Sequence, residues 1–244
     1  MLKRLPIPGL FITGTDTNVG KTWIAAAIAG WFVRHRYRVA VCKPAATGCV
    51  RRREGLVSED AEFLAHHAAS RFSLETICPQ RFAEPLAPAV AAERAGEPLD
   101  WSAIDRSLQL MSRQSDVMIV EGVGGIMTPM DRTHTLLDVA GWLKLPAVIV
   151  ARAGLGTINH TLLTARALES AGVPIAGVVI NQYPPETPGI AEETNPRAIE
   201  RWGKLTVLCL TPQASMLHPP ALPADVIAAI DSVDWAGKLH PEEL

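Results

Sequence analysis

Cysteine is scarce in this sequence and follows no pattern. Cys42, Cys49, Cys78 and Cys209 are the only four among 244 residues, and no two stand at CxxC spacing. That argues against a zinc cluster or a disulfide framework, so reduced thiols in a cytoplasmic protein are the expectation. An excess of one charge is missing too. Lys and Arg number 23 against 25 Asp and Glu, a net charge of -2. Such a balance gives no bulk attraction to nucleic acid or to an anionic membrane, and neither is expected as a partner. No apolar stretch reaches the roughly 20 uninterrupted residues of a membrane span. The start, MLKRLPIPGLFITG, lacks a long apolar region and a small-residue cleavage site, so it reads as a first strand and not as a signal peptide. Internal repeats and low-complexity tracts are also absent.

What is present suits a globular protein with a sizeable core, since 48% of residues are hydrophobic and 20% charged. Short apolar, β-branched runs recur at Gly9–Thr13, Arg38–Cys42, Asp116–Val120, Ala147–Ala151, Ile175–Ile180 and Thr206–Leu210. Continuous runs such as Val117-Met118-Ile119-Val120 fit strands buried on both faces. Between them, Trp23–His35, Glu59–His67, Ser102–Gln114, Leu136–Leu143 and Ile158–Ala171 have helical character, and Gly172 and Pro174 stop the last. The alternation predicts an α/β fold, a mostly parallel sheet with helices on both faces, as one domain over residues 1–244. Thr76–Pro98 carries four prolines and reads as loop with a short strand or helical turn. Tyr183–Pro196, with four more prolines and several carboxylates, reads as an exposed loop. The tail after Pro212 reads as proline-rich and then helical around Pro223–Ile230.

Gly14-Thr15-Asp16-Thr17-Asn18-Val19-Gly20-Lys21-Thr22 follows the first strand and opens a helix. Strand, glycine loop and helix are the context of a phosphate-binding loop, in which backbone N–H groups and the helix N-terminus hold phosphate oxygens. Lys21 would reach the β- and γ-phosphates and Thr22 would coordinate magnesium. The two glycines enclose five residues where four is usual. Lys43 ends the second strand, at the sheet edge where ligands collect, although a strand-end lysine alone is more often a solvated charge. Asp60 stands where a helix begins and, taken alone, fits an N-cap. Glu121 ends a buried strand and precedes Gly122-Val123-Gly124-Gly125, a position suited to a magnesium partner. A third loop, Ala151–His160, follows a strand and opens a helix, so its free N–H groups could bind a carboxylate or a phosphate.

In order and spacing these blocks resemble the dethiobiotin synthetase family over almost the whole chain. The resemblance rests on Gly14–Thr22, Lys43-Pro44-Ala45-Ala46-Thr47-Gly48, Asp60, Phe82-Ala83-Glu84-Pro85-Leu86-Ala87-Pro88, Glu121–Gly125, Gly154–His160 and Asn181. The five-residue loop is also that family's. The resemblance implies ATP-dependent carboxylation of 7,8-diaminononanoate by CO2 and closure of a cyclic urea, through a carbamate and a carbamic–phosphoric anhydride. It makes Lys21 and Lys43 catalytic and Thr22, Asp60 and Glu121 the Mg2+ ligands. Nucleotide contacts would come from Asn18, Val19, Gly20, Lys21, Thr22, Trp23, Asp60, Glu121, Gly122, Val123 and Gly124. Asn181, Gln182, Thr211, Pro212 and Gln213 would hold the base. Substrate would meet Thr17, Lys43 and Thr47, and its carboxylate would meet Leu155, Gly156, Thr157 and Asn159 from the partner of a homodimer. Asn18, Gln182 and Arg152 depart from residues common in that family. Two other P-loop classes compete. A cobyrinate amide synthase-like ATPase usually carries a further glutaminase domain, and 34 residues after Leu210 leave no room for one. A ParA/MinD-like switch carries a signature lysine where this chain has Asp16.

Overall fold

The structure, a computed structural model, describes residues 1–53, 55–184, 186–213 and 221–240. The proline-rich part of the tail, at 214–220, lies outside the described residues. In chain order the elements are β1 (Gly9–Gly14), α1 (Lys21–Arg34), β2 (Val39–Cys42), β3 (Ala45–Ala46), β4 (Val50–Arg52), β5 (Gly55–Val57), α2 (Glu59–His67), α3 (Leu74–Ile77) and β6 (Gln80–Arg81). There follow α4 (Pro88–Ala95), α5 (Trp101–Ser112), β7 (Val117–Gly125), α6 (Leu136–Leu143), β8 (Ala147–Arg152), α7 (Thr157–Ser170), β9 (Ile175–Tyr183), α8 (Ile190–Gly203), β10 (Val207–Pro212) and α9 (Ala224–Asp231).

Six strands form one sheet in the order β10-β9-β8-β1-β7-β2, and every pair in it is parallel. The strands expected from their apolar runs are these six. Phe11 and Ile12 of β1, Met118 and Val120 of β7, and Val148 to Val150 of β8 are all fully buried, as strands covered by helices on both faces must be. Gly9 shows how tightly β1 and β7 pack, because a Cβ there would lie 2.2 Å from the Met118 carbonyl oxygen. β1 sits between β7 and β8, so the chain reverses its direction of travel across the sheet there. That reversal opens a crevice beyond the carboxyl ends of the strands.

Two sequence readings need correction. Thr76–Pro98 contains the helix α4 and not merely a turn. Pro88 stands at its first position, where no intrahelical N–H is required, and Gly96 ends it at φ 69°. The second half of Tyr183–Pro196 is likewise helix, since α8 starts at Ile190 and carries Pro196 inside it. Asn195, Ala198 and Ile199 are buried along one face. That tertiary burial outweighs an interior proline's cost of about 3 kcal/mol. Of the two small sheets, β3 with β6 and β4 with β5, only β6 falls where a short strand was expected, within Thr76–Pro98; the other three strands had no clear signal in sequence.

Candidate active site

The glycine loop leaves β1 and enters α1 through Gly20, whose φ of 90° and ψ of 27° are left-handed. No side chain caps α1, so the N–H groups of its first turn are open to a ligand. The loop borders a cleft of about 1450 Å3 that also takes in Lys43, Asp60, Glu121 and Asn181. Four separate elements thus deliver polar side chains to one edge of the sheet.

Lys43 is only 4% exposed, so the reading of a solvated surface charge does not hold. Its Nζ donates to Glu121 Oε1 at 2.8 Å and pairs with Asp60 Oδ2. Burial lowers its proton affinity, but the Glu121 and Asp60 charges outweigh this and hold it above the ordinary lysine value. Lys21 behaves in the opposite way. Burial lowers it, Glu121 restores part, and the neighbouring Lys43 charge lowers it further, leaving it below the usual 10.5. Its ammonium donates to the Asp16 carbonyl at 2.9 Å.

Glu121 is 1% exposed, and burial raises its carboxyl above the usual value against the pull of Lys43. Its Oε1 accepts from both Lys43 and the Thr22 hydroxyl, the latter at 2.7 Å, while Oε2 is buried and has no partner among the described residues. Asp60 is not the cap of α2; the Ser58 hydroxyl accepts from the Ala61 N–H and fills that role. Asp60 is free to face the cleft. Burial alone would raise its carboxyl, but the charge and hydrogen bond of Lys43 hold it below the usual value.

These donors fit magnesium better than a caged metal. Among the described residues no group of three or more His, Cys, Asp or Glu is placed to hold a metal ion by itself. Two carboxylates and a hydroxyl, one carboxylate oxygen still unpartnered, match an ion that takes few protein oxygens and completes its shell with phosphate and water.

Thr17, Asn18, Trp23, Thr47, Val123, Gly124, Gln182 and Pro212 also line the cleft. Others stand back from it. Val19 and Gly122 are buried, and Thr211 is fully buried behind Asn181. Gln213 is exposed, with its N–H on the Tyr183 carbonyl. Leu155 and Gly156 are on the separate loop between β8 and α7, Thr157 and Asn159 are in the first turn of α7 with Thr157 fully buried, and none of the four borders this cleft. Leu155 there is 90% exposed.

Some contributors went unnoticed in sequence. Phe63 of α2 is one: it stacks with the expected Trp23, ring centroids 6.4 Å apart, along one wall. Asn195 of α8 donates to the carbonyls of Ala153 and Gly154 at 2.6 and 3.2 Å, holding the β8–α7 loop from behind. Its signal was hidden in a stretch read as loop. Arg152, a departure from the family pattern, pairs with Asp16 of the glycine loop at 2.7 Å.

The profile of a family described as "AAA domain" matches residues 8–221. An ATP-dependent dethiobiotin synthetase from Anaeromyxobacter dehalogenans is 43% identical over 73% of this chain and 78% of its own length. One from Thermodesulfovibrio yellowstonii is 34% identical over 91% of this chain and 96% of its own length. Among solved structures, the cell division ATPase MinD of Pyrococcus furiosus superposes with a TM-score of 0.52 at 13% identity, covering 93% of this chain and 96% of that one. The last likeness is one of fold alone. With the relatives it matches over most of both lengths, the chain belongs to the dethiobiotin synthetase family.

Proposed function

We propose that this chain, as one P-loop domain over 1–244, uses ATP and CO2 to convert 7,8-diaminononanoate into dethiobiotin, a step of biotin biosynthesis in the cytoplasm. The observation that carries the reading is the convergence of Lys21 and Lys43 on one cleft with Asp60, Glu121 and Thr22. A carbamate and a triphosphate are both anionic, so their approach needs cations that are already in place. One amine of the substrate adds CO2 to give the carbamate. A carbamate oxygen attacks the γ-phosphorus and ADP departs. The second amine then attacks the carbonyl carbon and expels phosphate, closing the ring.

Lys21 grips the transferring phosphoryl oxygens, and Lys43 lies beside the carbamate. Magnesium, when bound, neutralises phosphate charge; Thr22, Asp60 and Glu121 would hold it. The open N–H groups of α1 receive phosphate, with Asn18, Val19, Gly20 and Trp23 around it and Gly122, Val123 and Gly124 on the far side. Positioning supplies much of the rate, because carbamate formation and ring closure ask little of side chains. Thr17 and Thr47 face the diamine. Asn181 meets the base, with Gln182 and Pro212 beside it and Gln213 and Thr211 in support.

A homodimer completes the site in this reading, with Leu155, Gly156, Thr157 and Asn159 of one subunit holding the substrate carboxylate of the other. Support comes from the position of that loop, away from its own chain's cleft, and from the exposed Leu155, Met127 and Leu163.

The test is turnover with diaminononanoate, bicarbonate, magnesium and ATP. Dethiobiotin should form, and phosphate release should depend on the diamine. Steady ATP hydrolysis without the diamine, or no dethiobiotin, would refute the proposal.

A further inference from the structure

Asn181, near the end of β9, makes two hydrogen bonds with its buried amide. Nδ2 donates to the Val19 carbonyl at 2.9 Å, and the Thr211 hydroxyl donates to Oδ1 at 2.6 Å. A carbonyl oxygen can only accept, so Val19 decides which end of the amide is nitrogen. With the nitrogen so placed, the Thr211 hydroxyl, which could otherwise accept, must donate. Each end of the amide has then used one of its two valences, leaving one N–H and one lone pair.

Asn181 borders the cleft, whereas Thr211 is fully buried and does not. The side presented to a ligand therefore offers one donor and one acceptor. Adenine offers the complement, an amino donor beside the N7 acceptor, while guanine offers two acceptors, O6 and N7. An amide free to turn could adapt; one held at both ends cannot.

We infer that Thr211 is a positioning residue for base selectivity: the Val19 carbonyl sets which end of the Asn181 amide is nitrogen, the Thr211 hydroxyl holds the amide plane in that orientation, and the same amide joins the base pocket to the phosphate loop. The inference rests on the reading of this cleft as the nucleotide site. Packing supports the second half of it. A Cβ on Gly20 would lie 2.0 Å from Asn181 Nδ2, so the amide lies directly against the loop. Asn181 and Thr211 also sit on adjacent strands, β9 and β10, which fixes their separation more firmly than a loop would.

Equilibrium titration of the whole chain with ATP, GTP and inorganic triphosphate tests this, in the wild type, Thr211→Val and Thr211→Ser. Valine keeps the shape and removes the hydroxyl. One hydrogen bond's worth of orientation predicts a loss of about 3- to 10-fold in ATP affinity for Thr211→Val. GTP affinity should not fall, so the ATP preference shrinks by the same factor. Triphosphate affinity should stay as in the wild type, which also shows the variant to be folded. Thr211→Ser should restore the preference. An unchanged ATP-to-GTP ratio in Thr211→Val overturns the inference, as does an equal loss for all three ligands, the mark of a merely structural threonine. If the wild type binds no nucleotide, the nucleotide-site reading itself falls and takes this one with it.

Discussion

The chain contains two glycine loops of similar local design, and the structure treats them differently. Gly14–Thr22 joins β1 to α1, and Arg152–Thr157 joins β8 to α7. Each ends in a left-handed glycine, Gly20 at φ 90° and Gly156 at φ 93°, and neither helix has a side-chain cap. Both helices thus begin with open N–H groups suited to an anion. Behind the first loop stand Lys43, Glu121 and the Asn181 amide, all nearly fully buried. Around the second, a Cβ on Gly156 would meet nothing within 4 Å, and Leu155 projects outward. The same local backbone becomes part of an enclosed site in one place and an exposed tip in the other. Arg152 and Asp16 link the two, but as a half-exposed pair worth roughly 0.2–1 kcal/mol.

The contrast is broken most strongly through charge. Lys43→Ala should lower turnover about 100- to 1000-fold, as expected when one fixed cation facing a transferring group is lost. Arg152→Ala, at the other loop, should change it by no more than about threefold. Steady-state kinetics of the two variants decide the matter, and near-normal activity in Lys43→Ala would remove that lysine from the site.

Next in size is the glycine pair. Gly20→Ala combines a strained left-handed φ with a collision against Asn181, so nucleotide affinity should fall by at least about 30-fold. Gly156→Ala carries the strain alone, about 1 kcal/mol, and should lower Tm by about 2–4 °C with nucleotide affinity intact. Calorimetry and nucleotide titration separate the two effects. Equal nucleotide affinities in both variants would erase the contrast.

The smallest effect is a shift in a pH profile. Lys21 is held below 10.5, chiefly by burial, while Lys43 is held up by Glu121 and Asp60. As pH rises, Lys21 loses its proton first, so kcat/KM for ATP should decline through an ionisation below 10.5. Lys21→Arg, whose side chain stays charged, should move that decline to higher pH even if its rate is lower. An unmoved alkaline limb would assign it to another group.

Much of this was legible in the sequence. α2 and α6 lie where the periodicity put them, residue for residue, and the six core strands differ from their apolar runs mainly at their ends. β7 and β9 run on past the expected ends, carrying Glu121 and Asn181 within the strands and not at their ends. Polar residues and glycines at a strand's end look like a turn, yet ladder pairing continues through them, as between Gly14 and Gly125. The helices α4 and α8 were hidden by their prolines. Pro88 proved to be a helix start, and Pro196 an interior residue tolerated because the helix packs.

By itself the sequence determined the order of the six core strands and of the regular helices between them, the glycine loop and the residue types the chemistry needs, since all of these follow from local periodicity and backbone preference. Only the tertiary structure decided that Lys43 shares a carboxylate with Thr22 and that Thr211 stands behind Asn181. Those are contacts between residues up to 99 positions apart in the chain. They depend on which strands become neighbours in the sheet and on how deeply each side chain is then buried.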